Sequence, residues 1–569
     1  MTEKPPDQEP GANNWQKDNF PIFGVPAPAF RRFEATVLSP DGADVHGRER
    51  PPHPTVYRPG QLILPGLPRR SLDDGPLAEL QRLGRLMHFR PVVMDHPDRE
   101  DRPPDAPETR VELAERLGYA DRLDPVARVV VDLVPHTDRL GTPIDAWRVL
   151  QRARRDEQRA RRYEENPEDF PDLDESQKED MDRSLAGRAR AWGLVHVLMA
   201  TGSGTGVGYG SGVGYGSGVG YGSGVGYGSG VGVPGSADGR IPVMLQMDTP
   251  QSPEGPSPVV AILDTGLGRH PWFDDSPLVI RDPSVGGVRI GVTYPPGEDP
   301  ENGDGVTLDL VNRFLDPMAG HGTFIAGLVR QHCPSARLLI VPVMYGDGAA
   351  DEADLIDALE LLLLWHWCGV DGKDDHGRLD VVSLSLGFYH ETPGAVEDEA
   401  GLFKAIRALQ KEGVCIVAAA GNGATTLPFW PAALAAGDIP DSGHGRVPVV
   451  SVGARNPNDG TIAAFSNTGE WVRTYRCGVA VVSTMPVTFE GSLRGGFDVA
   501  ARQGRPARGT PDPDDYSSGF GIWNGSSFAA PACAGDVAHM MCDQSFVADS
   551  RPHAEKMAGV VERAVEDTS

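Results

Sequence analysis

Cysteine is scarce in this chain: six in 569 residues, the first at Cys333, with no CxxC pair. That spacing excludes a dense disulfide framework. Free thiols are the expectation for Cys333, Cys368, Cys415, Cys477, Cys533 and Cys542, with a single disulfide left as the alternative. Cys415 lies in an apolar run and Cys533 among small helix residues, so both read as small packed hydrophobes. Positive charge is also short. Against 80 Asp and Glu stand 53 Lys and Arg, a net charge of −27, which argues against a nucleic-acid partner because phosphate binding needs clustered cations. No apolar run reaches the length of a membrane span, so no membrane partner is expected. The segment Met1 to Phe20 has neither a basic start nor an apolar core. The cytoplasm is therefore the expected compartment, with export without a leader left open.

A hydrophobic content of 39% is enough for a sizeable core in at least one of two or three domains. Residues 1–50 are rich in Pro, Gly, Asp and Glu and read as a disordered arm. Residues 51–200 read as an α+β unit. A strand from Thr55 to Leu64, interrupted at Pro59-Gly60, precedes an amphipathic helix on Leu77, Leu80, Leu83, Leu86 and Met87. Strands at Phe89 to Met94 and Ala127 to Val134, an Arg-dense helix from Asp145 to Arg162, and a strand at Leu194 to Met199 follow. Strand, helix, strand, strand, helix, strand is the order of a ferredoxin-like domain. The acidic stretch Glu164 to Asp182 reads as a solvated loop or helix extension, with a docking surface as the alternative.

Between Gly206 and Val231 the hexapeptide Gly-Tyr-Gly-Ser-Gly-Val recurs, with Tyr209, Tyr215, Tyr221 and Tyr227 at six-residue spacing. Such glycine density cannot build a core, so residues 201–240 read as a flexible linker. Two alternatives are a module of stacking tyrosines and the tip of an expanded hairpin joining Leu194 to Met199 with Ile241 to Met247.

Beyond Gln251 the texture changes. Strands at Val259 to Leu263, Arg337 to Met344, Leu379 to Leu384, Val414 to Ala419 and Val447 to Val452 alternate with helices at Gly320 to Gln331, Ala353 to Trp365, Glu397 to Lys411 and Ser527 to Cys542. Residues 241–545 are thus expected to form an α/β fold, a mostly parallel sheet flanked by helices, with a helical tail at 546–569. Ligand chemistry on such a sheet belongs at the carboxyl ends of its strands.

Chemistry-bearing residues fall there. Asp264 ends an apolar strand within Asp264-Thr265-Gly266, which also reads as a plain turn. His321 opens a helix in Gly320-His321-Gly322-Thr323, hemmed by small residues and placed to accept and return a proton. His270, His366 and His390 lack that setting and read as structural or surface residues. Asn422 follows a strand in Gly421-Asn422-Gly423, where a side-chain amide can donate to a developing oxyanion. Ser526 and Ser527 start a small-residue helix after Asn524-Gly525; either could cap it, and a hydroxyl there faces the positive end of the helix.

Together these motifs resemble the subtilisin-like serine proteases, the subtilases, whose chain order Asp, His, oxyanion Asn, Ser is that of Asp264, His321, Asn422 and Ser527. The resemblance spans roughly residues 255 to 545. It implies a serine endopeptidase acting through an acyl-enzyme, with Ser527 as nucleophile, His321 as base, Asp264 as its orienting partner and Asn422 in the oxyanion hole. Ser385, Leu386 and Gly387 resemble the family segment that pairs with an extended polypeptide substrate. Where the family has Gly-Thr-Ser-Met-Ala, this chain has Gly525-Ser526-Ser527-Phe528-Ala529, so a bulkier Phe528 must be packed under the site. Family propeptides are ferredoxin-like units that inhibit in cis, which makes residues 51–200 a candidate propeptide or, in the competing view, a permanent recognition domain. No cofactor is expected. Calcium binding by the loop Glu298 to Asp316 is an open alternative to a solvated loop. A non-catalytic scaffold or binding protein on the same fold is the alternative function.

Overall fold

The computed structural model describes residues 25–40, 51–67, 75–94, 108–136, 144–200, 240–245, 247–392, 401–437, 446–458, 460–492, 498–509 and 512–566. The hexapeptide repeat, and with it the linker and stacking readings, lies outside them.

The N-terminal unit is built on β1 (Thr55–Pro65), β2 (Phe89–Val93), β3 (Arg128–Pro135) and β4 (Gly193–Ala200). Four longer helices accompany them, α1 (Pro76–Met87), α2 (Arg110–Leu117), α3 (Ala146–Glu165) and α4 (Glu175–Gly187), with a single helical turn at Ala120–Leu123. The strands lie in the order β4-β1-β3-β2, with every neighbouring pair antiparallel. The expected interruption at Pro59-Gly60 is a register shift against β4 between Tyr57 and Leu62. Alternation along β1 gives the sheet two buried faces: Leu62 and Leu64 pack with Leu80, Leu83, Trp147 and Leu150, while Ile63 joins the core of the following unit.

Two expectations need correction here. Residues 25–40 are not a disordered arm: a helix at Ala27–Arg32 and a strand at Thr36–Leu38 pair and pack on β1, because Ala29 and Phe33 find an apolar seat with Val56, Val197 and Ala349. The acidic stretch is partly helical, one of the two forms expected for it: α3 runs on to Glu165, and α4 starts inside the stretch, where Asp174 and Gln177 form a reciprocal capping box. The hairpin reading also fails, since Ile241–Pro242 pairs with Phe520–Trp523 while β4 pairs elsewhere.

The second unit is α/β. A seven-stranded sheet runs in the order Thr474–Cys477, Val450–Arg455, Cys415–Ala419, Val381–Leu384, Val259–Asp264, Arg337–Pro342 and, at the far edge, Val279–Ile280, with every neighbouring pair parallel. Its strands are β5 (Val259–Asp264), β6 (Arg337–Pro342), β8 (Val381–Leu384), β10 (Cys415–Ala419), β11 (Val450–Arg455) and β12 (Thr474–Cys477). Two further short strands, β7 (Ala349–Asp351) and β9 (Leu386–Gly387), lie outside this sheet. Central strands are buried on both faces, which explains their continuous Val, Ile, Leu and Ala runs. The helices α5 (His321–His332), α6 (Glu352–Val370), α7 (Leu402–Lys411) and α8 (Ser526–Met541) cover it. The expected boundary at 545 is not a break, because the last helix, His553–Glu566, buries Met557, Val560 and Val561 in the same core. All six cysteines are free thiols. Among the described residues no helix is long and apolar enough to cross a membrane.

Candidate active site

Asp264 is the last residue of β5, His321 the first of α5 and Ser527 the second of α8; none is more than 1% exposed. His321 Nδ1 lies 2.7 Å from Asp264 Oδ1, which also accepts the Thr265 N–H at 2.8 Å. This contact depends on a glycine: a Cβ on Gly322 would overlap the Gly266 carbonyl oxygen, so α5 could not start so close to the turn after Asp264. His321 Nε2 has no hydrogen-bond partner among the described residues.

The serine side is held separately. Ser527 Oγ donates to the Ser385 carbonyl at 3.4 Å, and Ser385 Oγ returns a bond of 3.0 Å to the Ser527 carbonyl. Ser526 accepts the Gly421 N–H at 3.1 Å, and its own N–H donates to Asn422 Oδ1 at 2.9 Å. Gly421 takes a left-handed φ of 98°, the turn that swings Asn422 off the end of β10. With its oxygen engaged, Asn422 keeps a buried Nδ2 that has no partner among the described residues. A fixed amide with an unspent donor is the arrangement an oxyanion hole needs.

Phe528 is fully buried, its ring 5.3 Å from the His321 ring, 4.6 Å from Phe324 and 5.1 Å from Trp523. It forms the apolar floor beneath the imidazole, and α8 still begins at Ser526.

The family model for subtilases matches residues 255–560, more than half of the chain. The chain belongs to the subtilase family. It is a serine-type endopeptidase of the subtilisin-like kind. Subtilisin BL of Lederbergia lenta is 29% identical over 245 residues, 42% of this chain and 69% of that protein. An alkaline protease of Shouchella clausii is 28% identical over the same length, and the aligned part is 49% of it. Among solved structures, fervidolysin of Fervidobacterium pennivorans, a keratinolytic enzyme related to subtilisin, aligns with 87% of this chain and 56% of its own at 16% identity and a TM-score of 0.40.

Within this subtilase, Leu386–Gly387 form the short strand β9 directly after Ser385, and β9 is paired with the chain itself. The end of β4 lies antiparallel to both β9 and β7: Met199 pairs with Gly387 on one side and Ala349 on the other, and the Ala200 N–H donates to the Gly348 carbonyl at 2.7 Å.

The acidic loop is not simply solvated. Glu301 and Asp316 are each 1% exposed, and their carboxylates face the chain's own donors. Asp316 accepts from the Thr307 and Leu308 N–H groups. Glu301 Oε1 accepts from the Thr265 hydroxyl and, at 3.0 Å, from the Gly322 N–H; Oε2 accepts from the Thr323 hydroxyl at 2.6 Å. Burial pushes the Glu301 carboxyl up to about 7, against the pull of the two hydroxyls. The oxygens of Glu301 and Asp316 thus cap turns and a helix start. Nothing in the periodicity singles out Glu301, because a Glu among Asp, Asn and Gly reads as a surface turn.

His270, His366 and His390 are buried, at 2, 1 and 1% exposure, as packed structural imidazoles. His196, His390 and Glu391 are close enough to share a metal ion. Yet His196 Nδ1 faces Glu352 Oε2 at 2.6 Å and its Nε2 faces Glu391 Oε2 at 2.9 Å. Both nitrogens must carry protons to donate, which leaves no lone pair for a metal. The His390 Nδ1 lone pair is likewise taken, by the Thr392 N–H at 2.9 Å. Burial lowers the affinity of His196 for a proton, but the two carboxylates outweigh it and raise its pKa to about 10.

Proposed function

We propose that this subtilase cleaves extended polypeptides with Ser527 as nucleophile, His321 as general base, and Asp264 as the carboxylate that orients and stabilises the imidazolium. In this reading the Ser527 hydroxyl turns from the Ser385 carbonyl to His321 Nε2 when substrate arrives, and gives up its proton as Oγ attacks the peptide carbonyl. Asn422 Nδ2 and the Ser527 N–H receive the oxyanion. His321 returns the proton to the leaving amine, and water repeats the sequence to release the acyl group. The tight Asp264–His321 contact and the unspent His321 Nε2 support these roles.

We further propose that the chain is a zymogen whose N-terminal unit inhibits in cis and is cut free by cleavage between residues 201 and 239. One observation carries this: the end of β4 fills, in extended form, the gap between β7 and β9 that a substrate strand would take. Cytoplasmic residence belongs to the same reading, supported by six unpaired thiols. The test compares intact masses of the wild type and Ser527→Ala after purification, together with labelling by a fluorophosphonate probe. A shortened, labelled wild type beside a full-length, unlabelled variant is expected. Equal full-length masses would overturn self-processing, and a wild type that stays unlabelled after its N-terminal unit has been removed would overturn the triad.

A further inference from the structure

We propose that Glu301 is a positioning residue for the triad, clamping the strand end that carries Asp264 to the helix start that carries His321. The proposal rests on the catalytic reading above. It comes from where the four hydrogen bonds of one buried carboxylate go. Two partners belong to the turn after β5 and the contacts it makes: Thr265, next to Asp264, donates its hydroxyl to Oε1, and Thr323, which donates its hydroxyl to Oε2 at 2.6 Å, also accepts the Gly268 N–H at 2.7 Å. The others are the N–H groups of Gly322 and Thr323 at 3.0 and 3.4 Å, in the first turn of α5, where a carboxylate offsets the positive end of the helix. Asp264 and His321 are thus each one residue from an anchor of the same side chain.

The clamp also reaches the proton inventory of the site. The Thr265 hydroxyl has one proton and two acceptors within reach, Glu301 Oε1 and, at 3.2 Å, Asp264 Oδ1. Its oxygen accepts the Gly322 N–H at 2.8 Å in either case. With Glu301 ionised, the hydroxyl points to Glu301, and Asp264 Oδ1 receives the Thr265 N–H and the His321 Nδ1–H alone. With Glu301 protonated, the carboxyl O–H donates to Thr265 Oγ1, and the hydroxyl turns to Asp264. A third donor on Asp264 spreads its charge and weakens its hold on the imidazolium. An ionised Glu301 therefore leaves Asp264 at full strength as the partner of His321, and adds its own negative charge nearby.

Two variants of the full-length chain separate geometry from charge. Glu301→Gln keeps the shape and most of the hydrogen bonds but removes the charge; Glu301→Ala removes both. For Glu301→Ala, kcat on a peptide substrate should fall on the order of 10- to 100-fold, the loss typical of a small misplacement of catalytic groups, with KM nearly unchanged. Glu301→Gln should recover most of that kcat. In both variants the acidic limb of the kcat/KM profile should move to lower pH, because the imidazolium loses a negative neighbour. Wild-type kcat in Glu301→Ala, or equal losses in both variants with an unmoved acidic limb, would overturn the proposal and leave Glu301 a structural cap. Should Glu301→Ala fail to fold, the acidic limb of Glu301→Gln decides alone. Fluorophosphonate labelling of the wild type is run alongside. A wild type that stays unlabelled after its N-terminal unit has been removed means that the catalytic reading has failed, whereas a labelled wild type with unaltered variants means that only the clamp has.

Discussion

The two units of this subtilase are held together differently within and between. Inside the catalytic unit the sheet and its helices share one apolar core, in which Val260, Ile262, Leu339, Val382 and Val417 are all nearly or wholly buried. That core runs on into the N-terminal unit through Ile63, Leu113, Val195 and Leu198, and around it the side-chain charges are sorted by side. Arg32, Arg58, Arg110 and His196 of the N-terminal unit meet Asp347, Asp351, Glu360 and Glu352 of the catalytic unit, at 2.7, 2.6, 2.8 and 2.6 Å. The apolar part of this contact holds the units together at every pH, whereas its rim, a seam of paired charges, can be weakened by titration or substitution, because each charged partner regains water on release. Chemistry should therefore belong to one region and docking to the seam, and substitutions should move one without the other.

The largest effect should come from Ser527→Ala. Its kcat should fall by on the order of 10⁶, a figure taken from subtilisin itself, while the N-terminal unit stays docked. Steady-state kinetics and co-elution of the two parts after nicking by an added protease check both halves. Asn422→Ala comes next, at on the order of 10²–10³ in kcat, again the scale found in subtilisin, with KM little altered because the amide meets the oxyanion and not the ground-state carbonyl. A matching rise in KM would sink the oxyanion role.

The seam should answer to pH instead. In the docked state His196 holds its proton up to about pH 10, and once released to water it should titrate near 6.5. Its contribution to docking is then complete below about pH 6.5. It should weaken by about tenfold per pH unit above that, and be gone beyond about pH 10. Retention of the N-terminal fragment on nicked Ser527→Ala enzyme, measured from pH 6 to 9, should show this slope, and His196→Gln should flatten it. A wild-type slope of zero would mean that His196 stays neutral and that the seam is held by other groups.

How much of this could be read in the sequence differs between the same regions. The parallel sheet was legible because buried strands advertise themselves as unbroken runs such as Val259 to Leu263, and because the strand ends then fix where Asp264 and Asn422 must lie. Each motif also carries its own local cause, as in Gly322, whose missing Cβ lets α5 approach the Asp264 turn. The four strands and the first and third helices of the N-terminal unit were legible by period, but the helices at Arg110–Leu117 and Ala120–Leu123 between β2 and β3 were not, and neither was the second face of the sheet: Ile63 looks like one more apolar residue of β1 until it is seen to join the core of the following unit. Glu301 and His196 were illegible for a shared reason. A buried charge is justified by partners distant in sequence, and His196 lies 156 residues from Glu352. The ordered segment 25–40 was lost behind its flanks, whose composition outweighed Ala29, Phe33 and Leu38.

The smallest effect should come from Phe528, the residue at which this chain departs from the usual Met of the family. Its ring contacts His321, Phe324 and Trp523, so the space beneath the imidazole is already filled by aromatic edges and faces. Phe528→Met exchanges one large apolar side chain for another of slightly smaller volume, and a flexible thioether can follow the gap left by the ring. The cost should be below about 1.5 kcal/mol of stability, read as a shift of the thermal midpoint, with kcat within a few-fold of wild type. Phe528→Ala opens a cavity instead and should cost about 3–5 kcal/mol. If Phe528→Met lowered kcat as much as Asn422→Ala does, the ring would be aiming His321 and not merely supporting it, and the division between a site fixed by hydrogen bonds and a core that fills space would have to be redrawn at this residue.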